Sequence, residues 1–264
     1  MSVSKAHKPV RGIADQTPQD LRARELEAAL DRAQLPHHVA VIMDGNGRWG
    51  VQHGMTREYG HHESVDAMRT TVTAASDLGL QFLSLFCFST ENIQRPLNEV
   101  QSLFELFNEV LDLEPEKLHK KNVRIITSGM IEQLPEPLPH KFAKAIELTA
   151  NNTGLTLNLC VMYSGRSELI QATRRAAQAI AAGELNPDEL NEHTLKRYFY
   201  HPELPDPDLV IRTSGEKRIS NFLLWQLAYS ELIFSDILWP DFSRADFLTA
   251  LYEFQQRNRR FGKV

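Results

Sequence analysis

The chain has 264 residues, of which 42% are hydrophobic and 24% are charged, a composition typical of a globular protein with a sizeable core. Its net charge of −5 argues against broad nucleic-acid binding, because affinity for a phosphate backbone comes mainly from clustered Lys and Arg side chains. The two cysteines, Cys87 and Cys160, lie in apolar segments and are predicted to be buried free thiols, which indicates a reducing, cytoplasmic environment.

The amino-terminal segment lacks the pattern of an export signal or a membrane anchor. Residues 1–17 are polar, and no run of about 18 apolar residues occurs in the chain. We therefore expect a cytoplasmic protein without a membrane span. Residues 1–20 are predicted to be disordered, and residues 21–264 to form one domain that begins with a charged helix at Leu21–Ala33.

From His38 onward, strand and helix patterns alternate along the chain. The predicted strands are His38–Met43, Phe82–Phe88, Asn122–Ser128, Leu155–Tyr163, Leu209–Arg212 and Glu231–Phe234. The predicted helices are His61–Leu78, Glu99–His119, Glu136–Asn151, Ser167–Ala182, Leu190–Tyr198, Ser220–Tyr229 and Arg244–Arg260. This alternation predicts an α/β fold, a single domain with a mostly parallel central sheet of about six strands flanked by helices.

Polar segments follow several of the predicted strands at the point where each strand ends. These segments are Asp44–Arg48, Ser89–Asn92, Tyr163–Arg166 and Arg212–Glu216. Ligands of open parallel sheets bind beyond the carboxyl ends of the strands. One rim is therefore expected to collect arginines, hydroxyls and carboxylates.

The loop after the first strand has the GxGxxG spacing of dinucleotide-binding proteins, at Gly45, Gly47 and Gly50. The match is poor, because that motif presents bare backbone to a pyrophosphate, whereas Asp44 stands at the turn and Arg48 interrupts it. Asp44 would repel a diphosphate unless a divalent cation lay between them, so we predict that it binds Mg²⁺. The alternative is that Asp44 caps the following helix.

A second anion site is predicted around Arg212, Arg218 and Ser220, because Arg forks and a hydroxyl suit phosphoryl oxygens. The alternative is a solvated turn with ordinary surface charges. The segment Leu103–Leu111 is apolar on two faces, which favours either a substrate with an apolar tail or plain core packing.

The sequence resembles the cis-prenyltransferases, in particular the bacterial undecaprenyl diphosphate synthases, also called isoprenyl transferases. The resemblance runs from about His38 to Gly262, and its blocks are long and keep their order. They are residues 38–49, Arg57 with Gly60-His61, 88–92 with Arg95-Pro96 and Glu99, 152–158, 208–213 and 215–226. The chain has no Asp-Asp-x-x-Asp motif, which argues against the unrelated, all-helical trans-prenyltransferases.

The resemblance implies an activity, a cofactor and partners. Such enzymes condense isopentenyl diphosphate repeatedly onto an allylic diphosphate, usually farnesyl diphosphate, and the long cis-polyprenyl product becomes the lipid carrier of cell-wall synthesis. It further implies that residues 21–264 form the catalytic domain, with Mg²⁺ as cofactor, a hydrophobic tunnel for the tail and a homodimeric assembly. The product would partition to the membrane, with the protein peripheral to its inner face.

The resemblance also implies roles for individual residues. Asp44 and Asn92 would be catalytic, and Asp44 would hold Mg²⁺ with Glu231 contributing from the neighbouring site. The allylic diphosphate would bind Gly45, Asn46, Gly47, Arg48, Trp49, Arg57 and His61. The isopentenyl diphosphate would bind Arg212, Arg218, Ile219 and Ser220, and the loop of Ser89, Thr90, Glu91, Asn92 and Arg95 would govern closure. The proton acceptor stays open between Asn92, His61 and the released diphosphate.

Two alternatives stay open, a shorter-chain enzyme of the same family and a noncatalytic partner subunit. The second typically lacks the Asp and the diphosphate arginines, which are present here together with Arg257, Arg259 and Arg260. The chain departs from the family at Ile93, where Trp is frequent, and at Gly50, where Ala is common. By resemblance the small Cys87 would line the tunnel and Leu155 would lie near its far end, so we predict a medium-to-long product.

Overall fold

The computed structural model describes residues 17–257. Its helices are α1 Pro18–Ala29, α2 Asn46–Gln52, α3 Arg57–Leu78, α4 Leu97–Leu113, α5 Pro115–Lys120, α6 Leu138–Thr149, α7 Gly165–Ala181, α8 Glu192–Lys196 and α9 Arg244–Gln255. Its strands are β1 His38–Ile42, β2 Phe82–Ser89, β3 Arg124–Ser128, β4 Thr156–Tyr163, β5 Leu209–Arg212 and β6 Glu231–Phe234. Within residues 17–257, no helix is both long and apolar enough to cross a bilayer.

The six strands form one parallel sheet in the order β3-β4-β2-β1-β5-β6, which confirms the predicted α/β fold. Central strand β1 pairs with β2 on one side and with β5 on the other, and such a reversal of strand order opens a crevice at the carboxyl ends. The register sets Ile42 of β1 opposite both Phe86 of β2 and Arg212 of β5. The segments that follow these three strands therefore meet at one edge of the sheet.

Alternate residues of β1 pack into different cores, because neighbouring side chains of a strand point to opposite faces. Val39 and Val41 join a large cluster with residues of α1, α3 and α9, whereas Ala40 and Ile42 join a smaller cluster on the other face. The whole strand is buried, as expected for a parallel sheet that is covered on both sides.

The segment 220–229, predicted to be a helix, is instead a series of turns. Ser220, Asn221 and Leu223 have φ values of 49°, 63° and 42°, which no right-handed helix accommodates. Phe222 is completely buried in the smaller cluster and Leu227 packs beside it. The apolar residues whose spacing predicted a helix instead cover one face of the sheet.

Two other predicted helices also differ from the structure. The predicted helix Glu99–His119 is divided into α4 and α5 at Pro115, because a proline has no N–H group to donate to the preceding turn. The last predicted helix ends at Gln255, and its residues 258–260 lie outside the described part of the chain.

The amino-terminal prediction needs a correction at its end. Thr17 and Asp20, predicted to be disordered, form the capping box that starts α1, in which each side chain accepts a hydrogen bond from the other's backbone N–H. Residues 1–16, the rest of the predicted disordered segment, lie outside the described residues. Cys160 is buried and Cys87 is half-buried, and both are free thiols.

Candidate active site

A polar pocket of about 520 Å³ lies at the carboxyl edge of the sheet, where β1, β2 and β5 end. The predicted site residues that line it are Asp44, Asn46, His61, Ser89, Glu91, Asn92, Arg95, Arg212, Arg218 and Ser220. They come from segments far apart in the chain, and the parallel register brings them together. Three of the four predicted rim segments therefore meet in one pocket, whereas residues 163–166 after β4 do not line it.

Asp44 lies just beyond β1, and its backbone N–H and carbonyl groups both form hydrogen bonds with Thr213. Its N–H donates to Oγ1 of Thr213 at 2.9 Å, and that hydroxyl donates to the Asp44 carbonyl at 2.7 Å. Its Oδ2 accepts a hydrogen bond from Nη2 of Arg212 at 2.8 Å. Burial raises the pKa of Asp44, but the hydrogen bond and charge of Arg212, together with the hydrogen bond of Ser214 and the charge of Arg48, outweigh burial, so the pKa lies below its usual value. Asp44 is therefore anionic at neutral pH.

The alternative that Asp44 caps the next helix is wrong. The N-cap of α2 is Gly45, and no side chain caps that helix. Gly45 has a φ of 108°, which favours glycine, and a Cβ there would lie 2.8 Å from Cδ2 of Leu238. A Cβ at Gly47 would lie 2.6 Å from Cζ of Arg57. These two glycines let the loop turn and let a guanidinium lie against the first turn of α2.

Arg212, the last residue of β5, is a buried cation and not part of a solvated turn. It is 3% exposed, and besides Asp44 it donates from Nη1 to Oγ of Ser220 at 2.7 Å and to the carbonyl of Arg218. Its Nε has no hydrogen-bond partner among residues 17–257. The turn between β5 and Ser220 is thus folded around this guanidinium, which fixes two predicted anion-binding groups beside Asp44.

The outer rim of the pocket carries two exposed arginines that share one carboxylate. Nη1 of Arg48 lies 3.3 Å from Oε1 of Glu216, and Nη1 of Arg218 donates to the other oxygen of Glu216. Nη2 of Arg48 also donates to Oγ of Ser214 at 2.5 Å. Because exposed ion pairs are weak, an anionic ligand can take over either arginine at small cost.

Glu99, which was not among the predicted site residues, organises the other side of the pocket. Its carboxylate is 4% exposed and accepts from Nε of Arg57 at 3.0 Å and from Nη1 of Arg95 at 3.1 Å. Burial raises the pKa of Glu99, but the hydrogen bond and charges of the two arginines outweigh it and hold the pKa low. The spacing of Arg95 and Glu99 by four residues is a signal that could have identified this carboxylate.

His61 is neutral at physiological pH. Burial, followed by the positive charge of Arg95, lowers its pKa to about 4, despite the opposing effect of Glu99. Nδ1 of His61 lies 3.3 Å from Nδ2 of Asn46, and its Nε2 lies 3.4 Å from Oε1 of Glu99. The buried ring lines the same pocket as Arg95, Arg212 and Arg218.

The loop after β2 is a short capped turn. Ser89 Oγ accepts from the Asn92 N–H at 3.2 Å, and Asn92 Oδ1 accepts from the Ser89 N–H at 3.0 Å. Asn221, missed by sequence reasoning, donates from Nδ2 to Glu91 at 2.6 Å and to Ser164 at 2.8 Å. Asn221 therefore joins this loop to the Ser220 turn and to the end of β4, and no spacing in the sequence indicates such a bridge.

Eight predicted residues do not line the pocket. Gly45, Gly47 and Arg48 belong to the start of α2 and Arg57 lies against it, whereas the other four make contacts elsewhere. Trp49 stacks on His53 with ring centroids 3.9 Å apart, Thr90 donates to Glu91, and Ile219 packs against the smaller core cluster. Glu231 is the first residue of β6 and pairs with Arg257 at 2.8 Å. Strands rise roughly 3.3 Å per residue, so Glu231 lies at the amino-terminal edge, too far to share an ion with Asp44 of the same chain.

Two apolar cavities of about 80 Å³ each lie beside the polar pocket under α3 and α4. The nearer cavity shares Met43, Phe86 and Leu103 with the pocket. The farther cavity shares Met68 with the nearer one, and Cys87 lines all three spaces. A polar chamber and an apolar path thus meet at Cys87.

Comparison with known proteins shows the family to which this chain belongs. Residues 42–262 match the prenyltransferase family model described as "Putative undecaprenyl diphosphate synthase". The ditrans,polycis-undecaprenyl-diphosphate synthase ((2E,6E)-farnesyl-diphosphate specific) of Pasteurella multocida is 48% identical over 88% of this chain and 97% of its own length. The isoprenyl transferase of Heliobacterium mobile is 44% identical over 94% of this chain and 96% of its own length.

Solved structures agree with these sequence matches. Lavandulyl diphosphate synthase from Lavandula x intermedia, in complex with dimethylallyl diphosphate, has a TM-score of 0.85 and 34% identity and covers 88% of this chain and 100% of its own. A probable undecaprenyl diphosphate synthase from Campylobacter jejuni has a TM-score of 0.72 and 35% identity, with 86% and 99% coverage. The chain belongs to the undecaprenyl diphosphate synthase family and is a prenyltransferase.

Proposed function

We propose that this enzyme condenses isopentenyl diphosphate repeatedly onto farnesyl diphosphate to give undecaprenyl diphosphate, a precursor of the cell-wall lipid carrier. The observation that carries the proposal is the junction at Cys87, where the polar pocket meets the apolar cavities. A diphosphate head requires cationic donors and a prenyl tail requires an apolar wall. Both surroundings are contiguous in this chain.

The two diphosphates are assigned to opposite sides of Asp44. Isopentenyl diphosphate would bind Arg212, Arg218 and Ser220, and the unpaired Nε of Arg212 supports this assignment, because a buried donor without a partner is costly. The allylic diphosphate would bind Gly45–Trp49, Arg57 and His61, where the first N–H groups of α2 lack intrahelical acceptors.

Mg²⁺ is the cofactor that we propose for Asp44. Among residues 17–257, no group of three or more His, Cys, Asp or Glu side chains could hold a metal by itself. One anionic carboxylate beside a diphosphate site suits Mg²⁺, which combines one or two carboxylates with substrate oxygens and water. When bound, the ion would neutralise charge on the departing diphosphate.

The side chains around the allylic site would support ionisation of the C–O bond. Negative charge develops on the leaving diphosphate, and Arg48 and Arg57 would stabilise it. The double bond of isopentenyl diphosphate then attacks the allylic carbon, and a proton is lost. Neutral His61 can accept a proton, whereas the Asn92 side chain caps Ser89; the released diphosphate is the third candidate acceptor.

We further propose a homodimer that passes its product to the inner face of the membrane. Glu231 of β6 forms an ion pair with Arg257, and β6 is an edge strand of the sheet. A second subunit could therefore bring its own Glu231 and Arg257 toward a neighbouring active site. Light scattering of the purified protein would measure the assembly, and a monomer with full activity would refute it.

Radiolabelled isopentenyl diphosphate, incubated with the protein, farnesyl diphosphate and Mg²⁺, tests the activity, the starter and the chain length together. We expect a long polyprenyl diphosphate from the wild type and almost no turnover from Asp44→Ala with its fold intact. Equal product from Asp44→Ala would refute the metal assignment. A short product, or preference for dimethylallyl diphosphate as starter, would favour the shorter-chain alternative.

A further inference from the structure

Exposed apolar side chains are concentrated in two short segments of the chain. Among residues 17–257, eleven large apolar side chains are exposed, and five of them fall within residues 51–59 and 93–97. These five are Val51 (61% exposed), Met55 (50%), Tyr59 (42%), Ile93 (47%) and Leu97 (71%). Single exposed apolar side chains are common on protein surfaces, whereas a contiguous group of them marks an interaction site.

Side-chain contacts bring these two segments together. Nδ2 of Asn98 donates to Oε1 of Glu58 at 2.8 Å. The buried carboxylate of Glu99 accepts from both Arg57 and Arg95, so the first turns of α3 and α4 lie side by side. The exposed apolar side chains therefore belong to one region of the surface. We call this region the apolar patch, and it consists of Val51, Met55, Tyr59, Ile93 and Leu97.

The apolar patch lies at the pocket end of the apolar cavities. On α3, His61 lines the pocket and the nearer cavity, Met68 lines both cavities, and Val72 lines the farther one. On α4 the same order runs from Leu103 beside the pocket to Leu111 in the farther cavity. Both helices thus run along the cavities from the pocket inward. The patch, which comes before these helices or in their first turn, surrounds the outer end of the seam between them.

The charge of the same segments suits an anionic surface. Residues 51–57 and 92–98 contain two arginines and no Asp or Glu, although the whole chain has a net charge of −5. The side chains of these arginines, Arg57 and Arg95, are 51% and 35% exposed. The acidic residue that follows each segment is half-buried or buried. Apolar side chains beside exposed cations are typical of proteins that bind the interface of anionic membranes.

Release of a polyprenyl product into water is unfavourable. The free energy of moving apolar surface into water rises with its area, so it grows with every carbon of the tail. A bilayer in contact with the apolar patch would receive the tail directly from the seam between α3 and α4. The tail would then exchange one apolar environment for another.

We propose that the apolar patch docks the enzyme onto an anionic phospholipid bilayer, with the mouth of the pocket facing the lipid, so that the product passes into the bilayer without crossing water. The passage of product rests on the proposed function, whereas the docking itself depends only on the patch. Arg57 and Arg95 lie at the level of the lipid phosphates when the apolar side chains enter the interface.

Sedimentation with sucrose-loaded vesicles of phosphatidylglycerol and phosphatidylcholine, in the absence of substrate, tests the docking. The variant Val51→Thr/Met55→Gln/Leu97→Gln makes three exposed side chains of the patch polar, and none of the three lines the pocket. Each methylene withdrawn from lipid weakens binding about fourfold, so we expect this variant to bind at least about tenfold more weakly than the wild type. Vesicles of phosphatidylcholine alone should bind the wild type more weakly than the mixed vesicles.

Leu21→Gln/Leu113→Gln/Ile170→Thr is the matched control. These three side chains lie outside the patch and are 51%, 53% and 54% exposed, and the control should bind vesicles like the wild type. Unchanged binding by the folded patch variant, or an equal loss in the control, would overturn the proposal. So would light scattering that shows a smaller assembly for the patch variant while vesicle binding is kept, because the patch would then join copies of this chain.

The patch variant changes only exposed side chains, and thermal unfolding would verify its fold. If it does not fold, Leu97→Gln alone replaces it, with weaker vesicle binding expected and unchanged binding counting against the docking.

Product formation separates this inference from the proposed function. With farnesyl diphosphate, labelled isopentenyl diphosphate and Mg²⁺, vesicles should raise the steady-state rate of the wild type more than that of the patch variant. Equal stimulation of both would refute the passage of product into the bilayer. A wild type that binds vesicles but forms no polyprenyl product refutes the proposed function and that passage with it. Normal product formation with unchanged vesicle binding by the patch variant refutes the docking alone.

Discussion

Replacement of Arg212 by Met should destabilise the protein at neutral pH. The guanidinium is 3% exposed and is the closest cation to Asp44, with a hydrogen bond of 2.8 Å. Removal of one partner from a buried ion pair costs about 3–5 kcal/mol. The Asp44 side chain is 30% exposed, so water can solvate part of its charge, and we expect a loss of about 2–3 kcal/mol.

The loss of stability in Arg212→Met should become smaller as the pH falls, because it arises from an Asp44 carboxylate that is charged and has lost its partner. In the wild type the pKa of Asp44 lies below the usual 3.8, so its stabilising contribution is present above that value and is lost as the pH drops through the folded-state pKa. In Arg212→Met the main opposing influence is gone and burial raises the pKa of Asp44. The folded variant then binds a proton more readily than the unfolded chain, and the two proteins converge in stability toward acid pH.

Urea unfolding of both proteins between pH 4 and 7 would measure the difference. Arg48→Met is the matched control, because Arg48 lies 3.5 Å from Asp44 and is 43% exposed, so its loss should cost less than about 1 kcal/mol. A destabilisation by Arg212→Met that is the same at every pH, or no larger than that of the control, would show that Asp44 does not depend on this guanidinium.

Three further outcomes are expected. Glu99→Gln should lower kcat/KM about tenfold, because weakening its charged hydrogen bond to Arg95 should cost about 1.4 kcal/mol, which corresponds to a factor of ten. Steady-state kinetics that match the wild type would contradict this. An NMR titration of His61 should show a neutral ring down to about pH 5, and a measured pKa near 6.5 would contradict this. Because the unfolded chain protonates this ring more readily, the protein should lose stability as the pH falls below 6.5. Asn221→Ala should raise KM severalfold with a smaller change in kcat, because its hydrogen bond to Glu91 joins two loops of the pocket; an unchanged KM would mean that the bridge is dispensable.

Local pattern accounts for the parts of the site that were predicted. Asp44 lies beyond the end of β1 and Arg212 is the last residue of β5. The bounds of both strands are visible as short apolar runs, and parallel strands place their carboxyl ends at one edge. A prediction of the strand ends is therefore also a prediction of which polar residues meet. The family resemblance added roles for those residues, and the comparisons show the same family.

Other features depend on contacts between residues far apart in the chain. Glu99 meets Arg57 from another helix, and Asn221 meets Glu91 across 130 positions, so no local periodicity predicts either contact. The segment 220–229 has helical spacing, but burial of Phe222 against the sheet outweighs that local preference.

By itself, the sequence determined the order of strands and helices, the parallel sheet and the edge at which Asp44 and Arg212 meet, because hydrophobic periodicity and strand direction are local properties. Only the tertiary structure decided that Glu231 lies at the opposite edge and that Arg69 and Glu114 line the farther apolar cavity. Those facts depend on strand register and on the packing of α3 against the α4–α5 junction, which arise when distant segments compete for the same buried space.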